Sequence, residues 1–218
     1  MKSMVLSGAT VLGLALASAV GGPGAIAKTH ATHPTAMHTM QAEDLRAAMR
    51  KLWEDHITYT RNYIISALGG LPDTDAVAAR LMKNQEDIGS AIVPYYGQAA
   101  GLKLTALLKD HIAIAADVVK AAKAGNKPGL TAMQAKWSAN GTAIAEFLSA
   151  ANPNWDKAAL EHMLQKHLEL TTGEVTGRLS KDWASDIRSY DEGHQHMLMF
   201  ADMLTDGIER QFPKKFGT

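Results

Sequence analysis

The segments LWEDHI (residues 52–57) and LLKDHI (residues 107–112) start 55 positions apart and share an Asp-His-Ile core. A weaker third copy, LQKHL (residues 164–168), places its histidine 56 positions after the second one. Each histidine interrupts an apolar stripe that has the i, i+3/i+4, i+7 spacing of an amphipathic helix. A regular repeat of this kind indicates helical hairpins that pack together to bury faces that one hairpin cannot bury alone.

Glycine and proline clusters divide the chain into six helical segments. The predicted helices span residues 43–68, 74–95, 101–124, 129–150, 156–178 and 182–210. No segment shows the sustained alternation of apolar and polar residues that a strand requires. We therefore predict an all-α fold, a six-helix bundle built as three pseudo-repeated helical hairpins of about 55 residues.

The first 27 residues have the pattern of a signal peptide, with Lys2 ahead of an apolar stretch at residues 4–20. Small residues suited to cleavage end at Ala27 and, as an alternative, at Ala19. No later segment reaches the length of a membrane span, so the mature protein is predicted to have no transmembrane segment. We expect an exported protein, either periplasmic or secreted.

The mature chain then divides into three parts. Residues 28–42 are rich in Thr, Ala and His without apolar periodicity, which predicts a flexible arm that carries His and Met. Residues 43–212 form the predicted bundle domain, and residues 213–218 form a short tail.

The amino-acid composition and the absence of known motifs limit the functions that this chain can have. Lys and Arg number 22 and Asp and Glu number 22, so the chain lacks the basic excess that nucleic-acid binding demands. There is no cysteine, and any metal site must use His, Met, carboxylates or amides. No glycine-rich phosphate loop follows a strand and no hydrolase motif occurs, so we expect neither a nucleotide cofactor nor a recognisable enzyme.

Four histidines on the apolar stripes are candidate ligands of an inner metal site, since neutral imidazole is the commonest metal ligand. They are His56, His111, His167 and His194. Nearby polar side chains would fix the imidazole tautomers by hydrogen bonding; the candidates are Asn84, Asn140, Asp55, Asp110, Glu174 and Asp191. Glu174 is also the best acid–base candidate, but an i,i+4 pair with Arg178 is the preferred explanation for it. In the competing interpretation, each histidine only satisfies a hydrogen bond in the core.

Two further segments favour copper over iron or zinc. The stretch HQHMLMFADM (residues 194–203) adds His196 to three possible thioether ligands, and imidazole with thioether is a mixture that copper favours. The thioethers belong to Met197, Met199 and Met203, which could equally fill the core. Cleavage after Ala27 would put His30 third in the mature chain, where it can complete a square-planar Cu(II) or Ni(II) site with the terminal amine.

The leading functional hypothesis is a metal-binding protein of the cell envelope whose partner is a metal ion or small ligand. The alternative is a metal-free helical binding or structural module, and the third is an enzyme of unknown substrate. The sequence leaves the oligomeric state open.

Several different short motifs are distributed along residues 45–216. They are Leu52-Trp53 with Asp55-His56, Pro94-Tyr95-Tyr96-Gly97, His111 with Ala115-Ala116-Asp117, Asn152-Pro153-Asn154-Trp155, His167 with Thr171 and Glu174, Asp186-Ile187 with Tyr190-Asp191, and Gln211-Phe212-Pro213. In these motifs the chain resembles a widespread family of small bacterial all-helical proteins. The resemblance implies a helical fold and no specific chemistry. Relatives often carry the name glycosyltransferase, but common enzymes of that class need nucleotide-binding α/β domains, and this sequence predicts no strands.

Overall fold

Helices make up most of residues 34–217, the part of the chain that a computed structural model describes, with side chains from residue 41 onward. The helices are α1 (Pro34–Gly69), α2 (Thr74–Ala91), α3 (Val93–Lys123), α4 (Lys127–Ala151), α5 (Lys157–Ser180), α6 (Trp183–Gln211) and α7 (Pro213–Phe216). The predicted signal peptide and His30 lie outside the described residues.

The six long helices pack in chain order, and α6 closes the ring by packing against α1. The helices α1, α3 and α5 also contact one another, so they surround the axis of the bundle. This arrangement confirms the predicted all-α bundle of six main helices. No helix among residues 34–217 is long and apolar enough to cross a membrane.

Local sequence explains where three of the helices begin. The side chains of Asn126, Asp156 and Asp182 each accept a hydrogen bond from a backbone N–H three residues later, at 3.1, 2.8 and 3.0 Å. Such N-caps satisfy donors that the first helical turn leaves unpaired. Each cap follows a short break in the apolar pattern, which is why these boundaries lie close to the predicted ones.

Two predicted boundaries were wrong. The first helix begins at Pro34 rather than at residue 43, so residues 34–42 of the predicted arm are helical. Proline fits the first turn of a helix, and an established helix extends at little cost. The second predicted helix ends early, at Ala91 rather than at residue 95, because Pro94 already starts the next helix. The predicted break at residues 97–101 is seen as non-helical backbone at Gly97 (φ 81°), which kinks α3.

The buried face of α6 also differs from the predicted one. Trp183 and Ile187 precede His194 on the same apolar stripe at helical spacing, yet they are 53% and 51% exposed. Asp186 lies inside instead, because Arg61 of α1 and Arg178 of α5 both bind its carboxylate. The rotation of α6 is therefore set by ion pairs with two other helices.

Candidate functional site: a buried histidine cluster

Three histidines converge near the axis of the bundle. His56 on α1, His111 on α3 and His167 on α5 are 2%, 3% and 2% exposed. The ring centroid of His167 lies 5.5 Å from that of His56 and 5.9 Å from that of His111. The sequence pattern therefore located three residues that the fold brings together from three different helices.

A small cavity adjoins this histidine cluster. It has a volume of about 20 Å³ and is lined by all three imidazoles. Its lining includes Thr60, Ala115 and Thr171, which lie four residues after each histidine, and Ile64, Val119 and Val175, which lie eight residues after. Because the nearer layer is small and the farther layer is bulky, space remains beside the imidazoles. The cavity has room for one water molecule or one ion.

Both ring nitrogens of His111 are engaged. Nε1 of Trp137 donates to Nε2 of His111 at 3.1 Å, so Nε2 accepts and the ring proton of the neutral imidazole lies on Nδ1. Nδ1 then donates to Oδ1 of Asn140 at 2.8 Å. Asn140, one of the predicted polar neighbours, therefore contacts an inner histidine directly.

The other two histidines differ from His111 in their hydrogen bonding. Within the part of the chain that the structure describes, Nδ1 of His56 and Nδ1 of His167 are buried without a hydrogen-bond partner. The hydroxyl of Thr60, which also lines the cavity, is likewise buried without a hydrogen-bond partner among the described residues. An unpaired buried polar group costs about 1–3 kcal/mol, so three such groups around one cavity need an explanation.

Burial keeps the cluster neutral. Desolvation and, to a smaller extent, the neighbouring His111 lower the pKa of His56 to about 3, although Gln85 opposes the shift. Desolvation likewise lowers the pKa of His111 to about 4, with Asn140 opposing it. The pKa of His167 falls well below its usual value through burial and through the two nearby imidazoles. Neutral imidazole is the form that binds metals.

Each histidine-bearing helix receives a similar hydrogen bond from the next helix. Nδ2 of Asn84 donates to the carbonyl of Leu52 at 2.9 Å. Nδ2 of Asn140 donates to the carbonyl of Leu107 at 3.1 Å, and Nε2 of His196 donates to the carbonyl of Met163 at 2.7 Å. Each accepting residue lies four positions before the cluster histidine of its helix.

The structure does not bring His194 to the cluster, which corrects the prediction of four converging imidazoles. His194 is partly exposed, and its Nε2 lies 3.3 Å from Oε1 of Glu54 at the surface. The rotation of α6 buries His196 instead.

The three methionines of α6 point in different directions. Met197 is buried in the main core, Met199 is 54% exposed and Met203 is partly buried. A site that uses all three thioethers therefore has no support from their placement.

The predicted acidic partners also lie away from the imidazoles. Asp55 pairs with Lys51 at 2.5 Å and with Arg80 at 3.2 Å, while Asp110 and Asp191 are exposed.

Glu174 belongs to a second buried cluster. Its Oε2 accepts a hydrogen bond from Nη1 of Arg61 at 3.0 Å, whereas Arg178 binds Asp186. The suggested Glu174–Arg178 pair was therefore wrong, because both arginines are drawn to carboxylates on other helices. Desolvation raises the pKa of Glu174 to about 7, although Arg61 opposes the shift.

The site is not a preformed metal centre. Among the residues that the structure describes, no three or more His, Asp or Glu side chains are grouped so that they could hold a metal ion. Trp137, which donates to His111, is absent from the site residues predicted from the sequence. Its position three residues before Asn140 was the available signal, since both side chains share one face of α4.

Comparisons with known proteins offer no parallel for this site. No protein family model, no curated protein and no solved structure matches the chain significantly. The chemistry of the cluster has to be argued from its own side chains.

Proposed function

We propose that the mature protein is an exported metal-binding protein that holds one monovalent copper ion between His56 and His167. The observation that carries this proposal is the pair of buried, neutral imidazoles whose Nδ1 atoms lack partners and which line one small cavity. Export rests on the signal-peptide pattern of the first 27 residues.

The spacing of the two rings supports a shared ion. Imidazole nitrogens bind such metals at about 2.0–2.1 Å, which puts the centroids of two rings on opposite sides of one ion roughly 6 Å apart. The observed separation of 5.5 Å between the ring centroids of His56 and His167 is close to this value. A cavity of about 20 Å³ beside the rings gives the ion room.

The charge of the surroundings favours Cu(I) over divalent ions. No acidic side chain lines the cavity. A buried charge without a counter-charge is costly, and that cost rises steeply with the charge of the ion. Zinc also demands four ligands in closed sites, more than this cluster offers. Copper therefore fits this site better than iron or zinc.

The metal-free alternative is a structural bundle in which a single water molecule bonds the unpaired nitrogens and the hydroxyl of Thr60. A cavity of this size and polarity can hold such a water. The alternative makes a different prediction, because it requires no affinity for copper.

We also propose that the bundle is built from three pseudo-repeated hairpins, α1–α2, α3–α4 and α5–α6. The matching hydrogen bonds from Asn84, Asn140 and His196 support this, since these three residues are spaced 56 positions apart. The cluster histidines would then occupy equivalent places around a pseudo-threefold axis. A separate Cu(II) site at His30 remains a proposal from sequence alone.

The test is a competition titration of the untagged mature protein with Cu(I) and a chromophoric Cu(I) chelator under anaerobic conditions. We expect one tightly bound ion per chain and quenching of tryptophan fluorescence, because the Trp53 ring lies 5.5 Å from the His56 ring. His167→Gln should weaken binding by at least tenfold, since it removes one of two ligands.

His194→Gln is the matched control, because it changes a surface histidine outside the cluster and should leave the titration unchanged. His56→Gln provides a second test if His167→Gln does not fold. A wild-type protein that removes no Cu(I) from the chelator would disprove the proposal and favour the structural alternative.

A further inference from the structure

Trp137 separates the histidine cavity from the surface. Its side chain is 3% exposed and lines the cavity on one side. On the other side it lines a surface groove of about 350 Å³ between α4 and α5. Thr172, which is partly exposed, also lines both spaces.

The same indole holds the third imidazole of the cluster. Nε1 of Trp137 donates to Nε2 of His111, and the two ring centroids lie 5.2 Å apart. This hydrogen bond occupies the lone pair that His111 would use to bind a metal. While it is intact, only two of the three imidazoles have nitrogens free to bind an ion.

We propose that Trp137 is a gate for the histidine cluster, and that its movement into the groove makes His111 the third metal ligand. One displacement would connect the cavity with the surface and would release Nε2 of His111. The inference rests on the proposed copper binding and adds to it a route of access and a third ligand.

The surroundings of Trp137 suit such a movement. Of the helix pairs that are neighbours in the ring, α4 and α5 pack the least extensively. Two hydrogen bonds of the Gln165 side chain bridge the groove, and such bonds can re-form: Oγ of Ser138 donates to Oε1 of Gln165 at 3.0 Å, and Nε2 of Gln165 donates to the backbone carbonyl of Ser138 at 3.2 Å. At this crossing Gly141 leaves room, because a Cβ added there would meet no atom closer than 3.6 Å.

Metal binding should shift Trp137 from its closed position to an open one. Moving the indole exposes apolar surface and breaks one hydrogen bond, so the closed state is favoured without metal. A bond between copper and His111 is gained only in the open state, and a ligand shifts an equilibrium toward the state that it binds better. The metal itself would therefore open the gate.

Trp137→Phe tests the gate, because it keeps most of the ring and removes the donor to His111. We expect its affinity for Cu(I) to rise about fivefold, since the hydrogen bond no longer has to be broken. Trp137→Leu should raise the association rate by at least tenfold. Trp183→Phe, an exposed position outside the cluster, is the matched control and should change neither quantity.

Coordination number gives an independent measurement on the wild-type protein. X-ray absorption of the Cu(I)-loaded protein should show three nitrogen ligands, and His111→Gln should show two. Wild-type protein with two nitrogens, or Trp137→Phe and Trp137→Leu with wild-type affinity and rates, would overturn the gate while copper binding stands. A wild-type protein that binds no Cu(I) would remove both proposals.

Discussion

Arg61 on α1 donates a hydrogen bond of 3.0 Å from Nη1 to Oε2 of Glu174 on α5, a residue 113 positions away in the chain. The same guanidinium binds Asp186 on α6, and Tyr190 lies over it with its ring centroid 5.1 Å from Cζ. Arg178 binds the other side of Asp186. This buried ionic cluster joins the helices that carry two of the three histidines.

The free energy of unfolding should depend on pH through Glu174. Its pKa is about 7 in the folded protein against an ordinary value of 4.5, so only the folded state holds its proton between these values. By linkage, the stability that this proton contributes is complete below pH 4.5 and is lost as the pH rises through 7. Asp186, Arg61 and Arg178 all face this carboxyl group, and the two arginines limit the loss.

Urea denaturation across this pH range checks the prediction. Glu174→Gln should flatten the decline in stability, because an amide fills the same space without titrating. Glu169→Gln, at an exposed position on the same helix, should retain the decline. Parallel curves for wild type and Glu174→Gln would show that another group causes the pH dependence.

Removal of Arg61 should destabilise the bundle strongly. Arg61→Met leaves Glu174 and Asp186 buried without their shared partner, and breaking a buried pair in this way costs about 3–5 kcal/mol. The control is Arg50→Met, which breaks an exposed pair with Asp202 and should cost at most about 1 kcal/mol. Equal losses in the two variants would mean that the buried cluster contributes no more than a surface pair.

The histidine cluster should give the metal-free protein the opposite pH dependence. The pKa values of His56 and His111 are about 3 and about 4 when folded, against 6.5 ordinarily, so only the unfolded chain takes up their protons below pH 6.5. Their contribution to stability is complete above pH 6.5 and is lost progressively as the pH falls toward 3.

Acid titration followed by circular dichroism checks this prediction. Once the difference in stability at neutral pH is taken into account, His56→Gln should unfold at a lower pH than the wild type, because one proton-binding site of the unfolded chain is gone. His194→Gln provides the surface control. An unchanged transition in His56→Gln would show that buried histidines do not drive acid unfolding.

The inner histidines could be predicted because their signal is local. Each interrupts an apolar stripe, and in a helix the stripe alone fixes which side chains face inward. The sequence could not decide between His194 and His196. Residues two positions apart differ by about 200° around a helix, so only one of them can face inward, and which one does depends on the helices that pack against α6. Asp186 and its two arginines decide that direction, and ion pairs between distant helices leave no periodic pattern. The proposed gate role of Trp137 could not be predicted for a related reason, since a tryptophan that moves and a tryptophan that only packs in the core have the same helical spacing.

The proposed equivalence of the three hairpins leads to the last prediction. His196 lies 56 positions after Asn140, which lies 56 positions after Asn84, and all three donate to a carbonyl of the preceding helix. His196→Asn should therefore keep the hydrogen bond to Met163 and cost less than about 1 kcal/mol of stability. His196→Ala loses both the hydrogen bond and buried side-chain contacts, so it should cost about 1–3 kcal/mol. Chemical denaturation of the two variants measures the difference. If asparagine at position 196 were as damaging as alanine, the third hairpin would not share the register of the first two, and the pseudo-threefold arrangement of the histidines would have to be abandoned.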